Sequence, residues 1–179
     1  MTFVFADYND AVLRLVTLPN IILTWAETHE EHDDPTPNLD SSSKDDMIIS
    51  PSIIFRFKSE MEAKGINFVL LSGPWSPALA ELIPPSSSTL GSVILAAETI
   101  YSPASTAAFV DLVITILKRV KMAKAMVGAK RLYFGVGGSV DGLKEACREK
   151  GAVAYEIENH GVPGMDSGVG RALIEVQMY

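Results

Sequence analysis

Cysteine is almost absent from this chain. Cys147 is the only one, so no internal disulfide can form, and the protein is expected in a reducing compartment, the cytosol or nucleus. No apolar run approaches the roughly 18 residues of a membrane-spanning helix, and the first residues lack the basic start of a secretory signal. There is no excess of positive charge either. Residues 27–46 hold eight acids and one lysine, which accounts for the whole net charge of −7, and the remaining 14 acids and 14 bases cancel. A neutral body makes no electrostatic case for nucleic acid, so no direct nucleic-acid partner and no membrane partner is expected. No metal is expected. "HEEH", His29 to His32, is one residue short of the metalloprotease motif and is expected to be solvated in an acidic loop.

The chain does have globular proportions. Its 179 residues are 47% apolar and 21% charged, enough for one domain with a core. "TFVFA" reads as a buried strand, and "DAVLRLVTL" has helical spacing with Asn9 or Asp10 as its cap. Pro19 is expected to break or kink that helix, although "IILTW" can continue it. Residues 26–50 are acidic, rich in Pro and Ser and poor in bulky apolar residues, the composition of a disordered insertion.

Order is expected to resume at "IIFRFKSEME", followed by a strand from about Ile66 to Leu71. "SPALAELI" is a short helix with a Ser-Pro start. "SVILAAE", residues 92–98, is continuously apolar, which predicts a central strand of a parallel sheet covered on both faces. A capped amphipathic helix begins at Ser102, "AKAMVGAKRLYF" reads as a strand, and a turn and helix run to Gly151. "AVAYEIE" and "RALIEVQMY" close the chain as two strands, expected to be antiparallel. Alternating strands and helices define an open α/β sheet.

In such sheets ligands sit beyond the carboxyl ends of the strands. Four strand ends carry unusual chemistry: Asp7-Tyr8-Asn9, Ser72-Gly73-Pro74-Trp75, Glu98-Thr99-Ile100-Tyr101, and Tyr133 through Gly138. "GVGG" follows a strand, and Glu158 lies 20 residues after Gly138, which suggests a dinucleotide fingerprint. That fingerprint needs a third glycine where Val140 stands, so a tight turn with positive φ is the expected role of these glycines.

Taken together, "DYN…VLRLVTLPN", "SGPWS", "ETIYSP" and "AKRLYFGVGG" resemble the seven-strand, class I S-adenosylmethionine-dependent methyltransferases. Within that class the resemblance is to the protein-histidine N-methyltransferases that modify a ribosomal protein. It implies a Rossmann-like seven-strand sheet that is incomplete here, with the family's first strand and glycine-rich turn lying before residue 1. Residues 1–179 would then be a partial methyltransferase domain, either a fragment or the product of a gene that lost that part. The missing strand would expose two apolar edges and leave the isolated chain poorly stable.

The resemblance also assigns roles. Asp7 and Asn9, with Ser72, Gly73 and Trp75, would bind S-adenosylmethionine: Asp7 at the ribose hydroxyls and Trp75 against adenine. Pro74 stands where the family has a polar or acidic residue, and Ser139 where it has a further glycine. Glu98 and Tyr101 would be catalytic, orienting the substrate histidine. Tyr133, Gly135, Gly137 and Gly138 would form the substrate-side loop. The residues allow plainer roles too: Asp7 as a helix cap, Trp75 as a core tryptophan, Glu98 as a helix-capping acid near Pro103, and Cys147 as a structural thiol. The function implied is methylation of a protein histidine, with a ribosomal protein as partner. The alternatives are a catalytically inactive methyltransferase-like module that binds a protein partner, and a dinucleotide binder using "GVGG".

Overall fold

The computed structural model describes residues 1–29, 48–86, 91–158, 168 and 170–179. The chain is mixed α/β and divides into two compact units, Met1–Pro74 and Trp75–Tyr179.

In the first unit, β1 (Thr2–Asp7) and β2 (Asn67–Ser72) pair in parallel, with Asp7 opposite Ser72. Phe3 and Phe5 both stack on Phe68, and Phe68 stacks on Phe57 of α3 (Pro51–Ala63). Aromatic layering of this kind gives a small unit cohesion beyond its buried area. The helix after β1 begins where Asn9 accepts the backbone N–H of Ala11 at 3.0 Å, so Asn9 is the cap. Pro19 does not end the helix. It continues as α1 (Asp10–Val12), a wide π-type segment (Leu13–Thr17) and α2 (Leu18–Glu27). The Leu18 N–H reaches back five residues to the Leu13 carbonyl. Widening the turn just before Pro19 accommodates a residue that cannot donate and whose ring crowds the preceding turn.

Both ends of the stretch 26–50, expected as an insertion, are ordered structure. Ala26 and Glu27 complete α2, and Ser50 caps α3 by accepting the Ile53 N–H at 3.3 Å. Residues 30–47, which hold most of that stretch, lie outside the described residues. His29 is not a solvated loop residue. Its Nε2 lies 2.8 Å from Glu60 Oε2, and its Nδ1 lies 2.7 Å from the Trp25 carbonyl.

The second unit holds a four-stranded sheet in the order β3-β4-β6-β5. These strands are β3 (Val93–Ala97), β4 (Lys124–Lys130), β5 (Ala152–Ile157) and β6 (Arg171–Met178). β3 and β4 are parallel, whereas β6 is antiparallel to both β4 and β5. The antiparallel closing pair is as expected. Among the described residues three helices complete the unit: α4 (Pro77–Leu82), α5 (Pro103–Leu117) and α6 (Val140–Glu149). Ser76 and Ser102 cap the first two at their Ser-Pro starts, and Ser102 and Ser105 bond reciprocally in a capping box.

One face of this sheet is closed. Ala125, Val127 and Ala129 of β4 and Ala172, Ile174 and Val176 of β6 pack with Phe109, Val113 and Leu117 of α5 and Leu143 and Cys147 of α6. Fully buried Leu143 and Ile174 each contribute roughly 2–3 kcal/mol on burial. The expectation of a central strand covered on both faces fails at β3. This strand pairs only with β4 among the described residues, and Val93 and Leu95 are 61% and 77% exposed. An apolar run signals burial but does not say how many faces are buried. The strand expected to continue to Phe134 stops at Lys130, where the chain turns back so that Tyr133 Oη accepts the Lys130 N–H at 3.2 Å.

Candidate functional site

The candidate site residues fall into both units.

In the first unit the parallel pairing of β1 and β2 sets Asp7 beside Ser72 at the carboxyl ends of both strands. Asp7 is not the helix cap. Its Oδ1 accepts the Asn9 N–H at 2.8 Å, a local turn that holds the carboxylate at the strand end while Asn9 caps the helix. The Gly73 N–H donates to the Asp7 carbonyl at 3.1 Å, tying the two strand ends together. An open cleft of about 380 Å³ is lined by Tyr8, Asn9, Asp10, Ser72 and Gly73. Gly73 has φ 141°, and a Cβ built there would meet nothing within 4 Å, so the glycine leaves space at the cleft. The cleft thus lies at the carboxyl ends of two parallel strands, where ligands sit in open α/β sheets.

In the second unit the side chain of Glu98 is locked. Glu98 follows β3 and has φ 55°, the only positive φ at a non-glycine among the described residues. A left-handed backbone at such a residue costs about 1–2 kcal/mol and persists where the surroundings over-determine it. The surroundings are visible. The Glu98 N–H donates to the Gly128 carbonyl at 2.9 Å. Tyr133 donates its hydroxyl to Glu98 Oε2 at 2.7 Å, and Arg171 Nε lies 3.6 Å from Oε1. Both carboxylate oxygens therefore have a partner. Glu98 is not a capping acid, because Ser102 caps α5. Burial, and then the bond to Glu98, push the Tyr133 phenol up to about 12, so it remains a donor at any ordinary pH.

The "GVGG" loop packs against the "ETIY" segment. Gly138 N–H donates to the Tyr101 carbonyl at 3.2 Å, and Tyr133 N–H to the Gly138 carbonyl at 2.8 Å. A Cβ at Gly138 would fall 2.0 Å from the Ile100 carbonyl oxygen, so this glycine is required by close approach of the backbone. Gly135 and Gly137 have φ 80° and 82°, as expected of a tight turn. These uses account for the glycines without a dinucleotide. Tyr101 is half-exposed, Phe134 is exposed, and the buried hydroxyl of Thr99 has no hydrogen-bond partner among the described residues. Trp75 is partly buried and meets Phe109 edge-on at 6.4 Å. Cys147 is buried and inert, its thiol pushed up to about 11 by burial. Among the described residues no cluster could hold a metal ion, and no helix is long and apolar enough to cross a membrane.

The sequence reading missed Arg171. In the sequence Glu98 and Tyr133 belong to separate motifs, and nothing local ties either to an arginine near the end of the chain.

An acid-bearing strand end beside an open polar cleft, and a carboxylate held between a phenol and a guanidinium, are features of an α/β protein with strand-end chemistry. No protein-family model matches the chain. It is 41% identical over 144 residues to histidine protein methyltransferase 1 of Schizosaccharomyces pombe, covering 78% of the chain and 38% of that relative. The protein of the same name from Saccharomyces cerevisiae is 32% identical over 154 residues, covering 78% and 39%. A rat homologue is 27% identical over 172 residues, covering 96% and 42%. The chain is thus related to protein-histidine methyltransferases, and it spans about two fifths of the length of these curated relatives.

Proposed function

We propose that this chain serves the S-adenosylmethionine-dependent methylation of a histidine on a protein substrate, a ribosomal protein by the resemblance of its motifs. The single observation that carries the reading is Glu98, held at the end of β3 by Tyr133 and Arg171.

S-adenosylmethionine, when bound, supplies a methyl group activated on a sulfonium. Asp7 and Asn9, with Ser72 and Gly73, would hold its ribose, and Trp75 its adenine. A neutral imidazole nitrogen is already nucleophilic, so the protein must chiefly present it in line with that methyl. Methyl transfer to that nitrogen would leave the ring positively charged, and its other N–H proton would pass to Glu98 and on to water. Glu98 would accept a hydrogen bond from that N–H, fixing the tautomer and stabilising the developing charge. Tyr133 and Arg171 fix the Glu98 carboxylate. Tyr101, with the Gly135–Gly138 turn, would form the wall against the substrate.

The test is calorimetric titration with S-adenosylhomocysteine, followed by methyl transfer onto ribosomal protein. Glu98→Gln should leave S-adenosylhomocysteine affinity unchanged and lower transfer by about a hundredfold or more. Unchanged transfer in that variant would remove Glu98 from the reaction. A second reading has its own observation: Val93 and Leu95 lie exposed on an outer strand, as they would in a non-catalytic module that binds a protein. A folded chain that fails to bind S-adenosylhomocysteine would select it.

A further inference from the structure

The neutral body of this protein is not neutral everywhere. Residues 112–140 contain six cations, Lys118, Arg119, Lys121, Lys124, Lys130 and Arg131, and no acid. Three of them meet in one place. Lys118, Lys121 and Lys124 line a cleft of about 700 Å³ in the second unit, together with Val93, Met122 and Met178. Lys124 opens β4 and Val93 opens β3, so the cleft lies at the end of the sheet opposite Glu98.

Two of the three lysines, Lys121 and Lys124, are not explained by the end of a helix. A cation at the end of α5 favours the helix dipole, which accounts for Lys118 and Arg119. Arg119 is further tied down by its bond to the Ala80 carbonyl at 2.7 Å. Lys121 and Lys124 lie beyond the helix. Lys124 reaches Glu175 only at 3.5 Å, and neither Lys118 nor Lys121 has an ion-pair partner among the described residues. Among the described residues no Asp or Glu side chain lines the cleft. Lys118 and Lys121 therefore keep the rim positive, Lys124 being paired with Glu175, and apolar side chains stand among the lysines, with Met122 81% exposed.

We propose that this cleft binds an acidic segment of a protein partner, one in which apolar side chains alternate with carboxylates. Charge complementarity sets the sign of the ligand. The apolar lining distinguishes a peptide from a nucleic acid: Val93, Val120, Met122 and Met178 offer contact area to aliphatic side chains. Among the described residues Tyr179 is the only aromatic ring in the cleft, a poor platform for successive bases. Lysines act as point charges and suit carboxylates without demanding the paired geometry of an arginine fork. Met122 is unbranched and adaptable, as sites that accept varied apolar side chains require.

The test is fluorescence anisotropy with a labelled peptide of four Glu-Glu-Leu repeats and the whole chain. Three comparison ligands are a Glu-Glu-Ser peptide, a Lys-Lys-Leu peptide and a uridine oligonucleotide of equal length. The Glu-Glu-Leu peptide should bind, and more weakly as salt rises from about 50 to about 200 mM. The double variant Lys118→Gln/Lys121→Gln should weaken it about tenfold, from two exposed pairs of up to about 1 kcal/mol each. Met122→Ser should weaken the Glu-Glu-Leu peptide but not the Glu-Glu-Ser peptide. Both variants alter exposed side chains, and their melting curves should match the parent. Oligonucleotide binding tighter than that of the Glu-Glu-Leu peptide would overturn the proposal in favour of nucleic acid. Peptide binding unaffected by the lysine variant, or no binding at low salt, would overturn it outright.

Discussion

Tyr133 donates its hydroxyl to Glu98 across 2.7 Å, joining a turn after β4 to the end of β3. The phenol is held up to about 12, by burial first and by the carboxylate second. A raised value means that the folded state keeps the proton more tightly than the unfolded chain. The stabilisation is full below about pH 10 and is lost as pH rises through 12. An absorbance titration should therefore show a late tyrosine step that Tyr133→Phe removes. The same variant should lose about 1 kcal/mol of stability at neutral pH by denaturant unfolding. A late step that persists in the variant would assign it to another tyrosine.

Two glycines in the same loop should behave differently. At Gly138 a methyl group would meet the backbone of Ile100 and Tyr101, which no side-chain rotation can relieve. Gly138→Ala should cost about 3 kcal/mol. At Gly135 there is nothing within 4 Å, so only the positive φ opposes a side chain, and Gly135→Ala should cost about 1 kcal/mol. Equal losses in chemical denaturation would contradict the packing of this loop on "ETIY".

Cys147 should resist alkylation. Burial pushes its thiol from 9.0 to about 11, a difference of about a hundredfold in thiolate, and the side chain is also hidden from reagent. Labelling with iodoacetamide at pH 8 should be at least a hundredfold slower in the folded chain than in urea. Comparable rates would show that α6 opens readily.

The carboxyl of Glu60 is held below 4.5 by the Lys64 ammonium, then by the indole N–H of Trp25, with a smaller charge contribution from His29. A depressed value gives stability that is full above 4.5 and lost as pH falls through the lower folded value. Trp25 fluorescence should report that loss, because its indole donates to Glu60 at 3.0 Å. Glu60→Gln should abolish the acid step; a step that survives would belong to another carboxylate.

Much of the architecture could be read locally. The Ser-Pro starts of α4 and α5, the turn glycines and the final strand pair rest on neighbouring residues, and they stand where expected. What escaped was long-range. Arg171 meets Glu98 across 73 positions of sequence, and His29 meets Glu60 across 31. The exposure of Val93 and Leu95 depends on which strands flank β3, and strand order is not written in an apolar run. Asp7 and Ser72 were placed correctly at strand ends, but their adjacency came from the pairing of β1 with β2.

The wide turn at Leu13–Thr17 also sets the phase of its helix. Leu13 and Ile22 are both buried, at 5% and 6% exposure, yet they are nine positions apart. At about 100° per residue, an unbroken α-helix would point them to opposite sides, about 180° apart. A π-type turn absorbs one residue and brings the two within about 80° of each other. The same turn that accommodates Pro19 therefore decides which side chains of the helix are buried. The helix carries the equivalent of a one-residue insertion, and its burial pattern depends on keeping it.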